Sequence, residues 1–415
     1  MKIKIKNINA REILDSRGNP TLEVTVKLKD GSVGIAGVPS GASTGSNEAV
    51  ELRDKDETRY DGKGVLKACS NINHQIFKAL YGQNLPNQSK IDDILIDLDG
   101  TDDKSKLGAN AIVGVSIACI KAIAQSHKME LHQYIEKMSG QVNDDLPTPM
   151  FNIFNGGKHV QNKVDIQEFM VVPNERIETE EQIRIGSEIF HSLKQILVAQ
   201  KLNVGVGDEG GYAPTIKNHD QIFEYILKAG EEAGYEAGSQ FKLAIDSAAS
   251  SFFDLNSQKY IFSLEDKKFT PDEIIKVYQE WVKKYHLFSI EDGLDEYDFN
   301  GWSIMHEILS KTQIVADDLT VTNTAFLSKA ISKGCANAII IKPNQIGTVT
   351  EAIKCAQKAK NAGWKIIVSH RSGETCDDFI TDLAVGIGAD FLKAGAPSRG
   401  ERVAKYNRLL KITQL

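Results

Sequence analysis

Apolar and polar residues alternate over positions 3–7 and again over 21–28, and Lys29-Asp30-Gly31 supplies a turn before a further short strand. After Gly62 the apolar spacing becomes helical, most plainly from Leu107 to about Lys137. Strands followed by helices predict an α+β unit over residues 1–138. Residues 139–149 (SGQVNDDLPTP) are polar and punctuated by Gly and Pro, which puts the expected domain boundary at their start.

A different rhythm runs over residues 139–415. Short apolar runs each end in one ionisable residue: LAID at Asp246, FSIE at Glu291, IVAD at Asp317, IIIK at Lys342, IIVSH at His370 and FLK at Lys393. The intervals are 45, 26, 25, 28 and 23 residues. Four of the five fit a strand, a helix and two short loops. The longest also holds a predicted hairpin over 252–264, ahead of a helix starting near Thr270-Pro271. Repeated βα units predict a parallel sheet closed into a barrel, whose C-terminal strand ends converge on one mouth. Many strands end in a polar residue without consequence; six ionisable ones in series point to a site.

Asp246, Glu291 and Asp317 would repel one another at that mouth and raise each other's pKa. A hard divalent cation resolves the conflict, and an all-oxygen ligand set favours Mg²⁺ ahead of Ca²⁺ or Mn²⁺. Each carboxylate alone could equally cap a helix or pair with a cation; the pattern carries the metal reading. Lys342 follows three isoleucines one barrel position further on. Partial burial beside cations such as Lys393 and Mg²⁺ would depress its pKa and make it a usable base, whereas a carboxylate partner would make it structural. Arg371, Ser372 and Lys393 add donors suited to an anionic group. Acidic metal ligands beside anion-binding groups suit proton abstraction next to a substrate carboxylate.

Three motif matches are discounted. Gly205-Val-Gly-Asp-Glu-Gly210 fits GxGxxG, but Asp208 and Glu209 would face a pyrophosphate and Pro214 follows where a helix should continue. It reads better as a loop presenting a carboxyl group, with Glu209 a candidate general acid. Gly41-Ala-Ser-Thr-Gly45 fits GxSxG without enough preceding chain for the supporting sheet, so residues 40–45 read as a mobile lid. His306-Glu307 begins like a zincin motif, but Ser310 stands where the second His is required. His159, in Asn155-Gly-Gly-Lys-His159, and Gln167-Glu168 lie early in the second unit, where spacing alone leaves their role open.

Composition narrows the class. The net charge of −7 gives no electrostatic case for nucleic acid as main partner. Five cysteines, odd in number, widely spaced and without a CxxC pair, argue for a reducing cytoplasm rather than a disulfide framework. The most apolar uncharged stretch spans 107–120, too short to cross a membrane and read as a core helix. The charged start MKIKIKNINAR has no signal-peptide core.

Taken in order, Asp15-Ser-Arg-Gly-Asn-Pro20, Ser40-Gly-Ala-Ser-Thr-Gly45, Leu107-Gly-Ala-Asn-Ala111, Gln167-Glu-Phe-Met170 and Gly207-Asp-Glu-Gly-Gly211 carry a family resemblance. Ser289-Ile-Glu-Asp292, Ala316-Asp-Asp-Leu-Thr320, Lys342-Pro-Asn-Gln-Ile-Gly347 and Ser369-His-Arg-Ser-Gly-Glu-Thr375 continue it. Over essentially its whole length the chain resembles the enolase family, which uses a Lys or His base with Mg²⁺. The resemblance implies an N-terminal α+β capping domain on a C-terminal eight-stranded TIM-like β/α barrel. It implies reversible dehydration of 2-phosphoglycerate to phosphoenolpyruvate, with Lys342 as base and Glu209 protonating the leaving hydroxyl. Asp246, Glu291 and Asp317 would hold one Mg²⁺, and Ser43 on the lid would meet a second that arrives with substrate. Asp318 would point the other way on an extended strand. Arg371 and Ser372 would take the phosphate and Lys393 the carboxylate end, with His159, Gln167, Glu168 and His370 completing the pocket. A cytoplasmic homodimer or octamer is implied, and the family also allows a cell-surface or secreted fraction. Val160, where the family usually has Ala, departs from its pattern. A scaffold relative would not need Lys342, Glu209 and all three metal carboxylates together.

Overall fold

The computed structural model describes residues 3–42, 45–140, 145–160 and 162–415. Strands β1 (Ile5–Leu14), β2 (Pro20–Leu28) and β3 (Val33–Gly37) form an antiparallel meander. Its first turn is fixed by Asp15, whose Oδ1 accepts from the N–H groups of Arg17 at 2.8 Å and Asn19 at 2.9 Å. On β2, buried Leu22, Val24, Val26 and Leu28 alternate with more exposed residues, so one face seeks cover.

The predicted helical region supplies that cover as α1 (Gln88–Asp99), α2 (Ala109–Ser126) and α3 (Leu131–Ser139). The single run expected from 107 to 137 is broken at Lys128, which adopts φ +53°, and α3 restarts behind a Glu130–Gln133 capping box. Helix α2 lies directly on the sheet. A Cβ at Gly34 would sit 2.0 Å from the Ala118 carbonyl oxygen, so β3 needs a residue without one there. Among the described residues α2 is the one helix long and apolar enough to cross a membrane, and it is buried in the cap's core.

The second unit is a closed barrel of β4 (Thr148–Asn155), β5 (Glu168–Pro173), β6 (Phe241–Asp246), β7 (Leu287–Glu291), β8 (Gln313–Ala316), β9 (Ala338–Ile341), β10 (Lys365–Ser369) and β11 (Phe391–Lys393). Each strand pairs with its successor, and β11 closes the ring against β4. The sheet is not parallel throughout, as the βα rhythm predicts: β5 runs antiparallel to both neighbours. The connection from β4 to β5 contains a single helical turn, Gly157–His159, too short for a crossover. The chain therefore comes straight back down, and the two helices α4 (Thr179–Ala199) and α5 (His219–Glu232) return it to the bottom before β6. Thereafter one long helix follows each strand: α6 (Pro271–Tyr285), α7 (Phe299–Ile308), α8 (Thr324–Lys333), α9 (Val349–Asn361, after a single turn at Pro343–Ile346), α10 (Phe379–Gly386) and α11 (Gly400–Ile412). Helix α6 starts where expected, on a Thr270–Glu273 capping box with Pro271 at its first turn. The predicted hairpin before it is a three-stranded antiparallel sheet over 253–269.

Met150, Met170, Ala244, Val315, Ala338, Ile340 and Phe391 belong to one buried cluster separate from the main core. Two-residue periodicity carries each column of this lumen upward to a polar residue on the same side: Asn152, Glu168, Asp246, Asp317, Lys342 and Lys393. The mouth chemistry thus stands on a packed apolar floor.

Candidate active site

Lys393 ends β11 with its ammonium fully enclosed. Nζ lies 3.1 Å from Glu168 Oε1, 3.0 Å from Asp246 Oδ2 and 2.8 Å from Glu291 Oε2. Strand register makes this possible, because Glu168 pairs with Asp246 and Asp246 with Glu291 across adjacent strands. Burial works against the ammonium, yet the three surrounding carboxylates outweigh it and hold Lys393 well above its ordinary pKa. Burial, then repulsion from Asp246, pushes the Glu291 carboxyl well up despite Lys393. Among the described residues, Glu291 Oε1 and Glu168 Oε2 are buried without a hydrogen-bond partner. Oxygen-only donors, bare lone pairs and mutual repulsion are what a hard divalent cation satisfies, so this acidic set fits one.

Lys342 opens the loop after β9 and pairs with Asp317 Oδ2. Gln345 Nε2 donates to the other Asp317 oxygen at 2.9 Å. The depressed lysine pKa expected from sequence is not found. Burial lowers it, but the adjacent Asp317 carboxylate more than compensates, and the ammonium is held above its ordinary value. Asp317 responds in mirror image: burial presses it upward, while Lys342, Lys393 and Arg371 together hold it below the usual range.

Asp318 also lines the cavity, contrary to the alternation argument. Strand β8 stops at Ala316, and the Asp317 carbonyl already accepts from Thr320 N–H at 3.0 Å and Val321 N–H at 2.8 Å, so the chain is turning. Asp292, not picked out from sequence, sets this turn: Oδ1 accepts from Asp317 N–H and Oδ2 from Asp318 N–H, each at 2.9 Å. One carboxylate oxygen from each of Asp292, Asp317 and Asp318 lies within 4.8 Å of the others, a second acidic group able to hold a cation. The paired Glu291-Asp292 and Asp317-Asp318 dipeptides were its only sequence signal.

Glu209 is buried in the Gly207–Gly211 turn, where Gly210 adopts φ +90°. Asn152 Nδ2 donates to Glu209 Oε2 at 2.8 Å, and His370 Nε2 stands 3.7 Å from the same oxygen. Glu168, Glu209 and His370 bring one ligand atom each within 4.8 Å of one another. Burial, then the neighbouring Glu209, drives the Glu168 carboxyl well above its usual range. Two carboxyls this close each disfavour the other's ionised form. Gln167 Nε2 reaches Asp246 Oδ2 at 3.4 Å.

Arg371 is gripped by a residue from the cap: Nη1 and Nη2 donate to the two oxygens of Glu48 at 2.8 and 3.0 Å. The barrel in turn fastens both shoulders of the cap's 40–45 segment. Ser40 and Gly373 exchange backbone hydrogen bonds at 2.7 and 2.8 Å, and Ser46 Oγ donates to Glu296 at 2.8 Å. Ser43 lies outside the described residues, as does the side chain of His159. The other predicted groups, Ser372 among them, line one cavity, except Glu291, which sits behind Lys393. Two lining residues, Ala248 and Asp292, adopt positive φ, as do Val321 and Thr322 in the turn after Asp317-Asp318 and Arg399 ahead of α11. For β-branched Val321 and Thr322 this is strain held by surrounding structure, as at a functional site.

A family model described as the enolase N-terminal domain matches residues 5–135, and one described as the enolase C-terminal TIM-barrel domain matches residues 143–415. Both matches fall where the meander-and-helix cap and the closed barrel lie, and together they leave little of the sequence unmatched. The chain belongs to the enolase family.

Proposed function

We propose that this protein catalyses the reversible dehydration of 2-phosphoglycerate to phosphoenolpyruvate, as in glycolysis and gluconeogenesis. The observation that supports the reading is one cavity that brings together the Lys342–Asp317 pair, Glu209 beside Glu168, and the acidic group Asp292, Asp317 and Asp318 able to hold a cation. Asp246, Glu291 and Asp317 would hold Mg²⁺ and Ser43 a second ion that arrives with substrate; such ions would supply positive charge against the negative charge developing on the substrate carboxylate, and a metal-engaged Asp317 carboxylate would favour Lys342 as the neutral amine. Lys342, as the neutral amine, takes the proton from C2. Glu209 gives a proton to the 3-hydroxyl, the C3–O bond breaks, and water leaves as the C2–C3 double bond forms. Arg371 and Ser372 meet the phosphate, the guanidinium being held ready by Glu48. Lys393 serves the carboxylate end, while His159, Gln167, Glu168 and His370 complete the pocket. A cytoplasmic homodimer or octamer belongs to the same proposal.

Ultraviolet absorbance of phosphoenolpyruvate, followed with 2-phosphoglycerate and Mg²⁺ and again after excess EDTA, tests it. Metal-dependent turnover is expected. A folded protein that does not turn over 2-phosphoglycerate would assign the cavity to another carboxylate substrate.

A further inference from the structure

Arg402, in the first turn of α11, is fully buried although it carries a permanent charge. Its two terminal nitrogens have four N–H groups, and the structure gives them four acceptors. Nη1 donates to His370 Nδ1 at 2.5 Å and to the Arg371 carbonyl at 2.6 Å. Nη2 donates to the Ser372 carbonyl at 2.6 Å and to the Asp208 carbonyl at 3.0 Å. One side chain thus ties the loop that presents Glu209 to the loop that presents His370, Arg371 and Ser372. Gly395 closes the packing: a Cβ there would lie 2.9 Å from Arg402 Cδ and 3.1 Å from His370 Cε1.

A guanidinium only donates, so the His370 nitrogen facing it must carry a lone pair. A proton on Nδ1 would set two donors against each other in a dry site. Neutral His370 therefore bears its hydrogen on Nε2, the nitrogen 3.7 Å from Glu209 Oε2 and without a hydrogen-bond partner among the described residues. We propose that Arg402 is a positioning residue that locks His370 as the Nε2–H tautomer, so that a hydrogen-bond donor awaits the carboxylate formed when Glu209 gives up its proton. The opposite tautomer would present a lone pair to that carboxylate and oppose its formation. Burial, reinforced by Arg402, Lys393 and Lys342, holds His370 well below its ordinary pKa despite Glu209, so the ring is a fixed neutral donor. The gap of 3.7 Å is open by hydrogen-bond standards, as such contacts often are before substrate binds.

The tautomer stands on the geometry alone, while its catalytic use rests on the proposed dehydration. Two measurements separate them. Nitrogen-15 correlation spectra of the histidine-labelled full chain should show His370 with a bare Nδ1 and a protonated Nε2 between pH 6 and 8. An Nδ1–H tautomer or an imidazolium would overturn the proposal, whatever the enzyme's substrate. Arg402→Lys keeps the charge but cannot span four acceptors. Its kcat for dehydration should fall about 10²-fold with KM nearly unchanged, while solvent exchange of the substrate's C2 proton persists. Equal loss of exchange and dehydration, or a rise in KM alone, would overturn the link to Glu209. An inactive wild-type protein would instead sink the substrate reading and leave the tautomer result standing, and the wild-type spectrum decides even if the variant does not fold.

Discussion

Asp92 is a wholly buried carboxylate far along the chain from the barrel mouth, and it joins the two halves of the molecule. From α1 its Oδ2 accepts from Thr350 N–H at 3.0 Å and Thr350 Oγ1 at 2.5 Å, while Oδ1 accepts from Ser116 Oγ at 2.7 Å and Gln88 Nε2 at 2.9 Å. Ser116 Oγ in turn accepts from Val349 N–H at 3.0 Å. The first two amides of α9, the helix that follows the Lys342 loop, are therefore capped by side chains of the other domain. Burial outweighs these hydrogen bonds and lifts Asp92 from 3.8 to about 6. The folded state binds this proton more tightly than the unfolded chain does. The stability it contributes is thus full below pH ~3.8 and is lost as pH rises through about 6. The shift of 6 − 3.8 = 2.2 corresponds to about 3 kcal/mol at ~1.36 kcal/mol per unit. Asp92→Asn removes the titration and keeps an acceptor for one pair of donors. Urea unfolding of both proteins from pH 4 to pH 7.5 should show the variant gaining most of that ~3 kcal/mol relative to wild type. A difference that does not change with pH would refute the argument. A variant that loses ground as pH rises would mean that the native site prefers the ionised carboxylate.

Lys342→Ala is expected to abolish both turnover and exchange of the C2 proton, with substrate binding retained in calorimetry; an active variant removes the base assignment. Glu209→Gln should still exchange that proton, read by NMR in deuterated water, while dehydration falls ~10²–10⁴-fold. Asp246→Ala should raise the Mg²⁺ concentration needed for half-maximal turnover at least ~10-fold, and an unchanged titration would contradict its ligand role. Gly34→Ala should destabilise the cap by about 3 kcal/mol in thermal unfolding, because its Cβ would meet the Ala118 carbonyl at 2.0 Å.

The barrel was legible because six of its eight strands repeat one statement, an apolar run and then an ionisable residue, at the spacing of βα units. The reversed β5 was not, since periodicity carries no direction; only the link between Asn155 and Glu168, too short for a crossover helix, held the clue. Asp318 was misread by extending strand alternation two residues past the end of β8. Asp292 was passed over because it follows a strand's last residue and works by holding backbone amides. The raised pKa of Lys342 could not be foreseen, because which carboxylate stands next to it is a matter of packing across strands. Glu48, Asp92 and Arg402 act from other parts of the chain, through contacts 30 or more residues away in sequence or across the domain junction, and no local motif announces them.

The barrel is sealed by β11 pairing with β4, strands separated by most of the second domain. During synthesis the edges of β4 and β10 stay bare until residues 391–393 emerge, a long interval in which a growing chain offers open strands to its neighbours. The same three residues carry Lys393, the cation on which Glu168, Asp246 and Glu291 depend. Ring closure and charge neutralisation are therefore one late event. A chain that ended before Lys393 would hold three carboxyls without the cation that lets them be buried ionised.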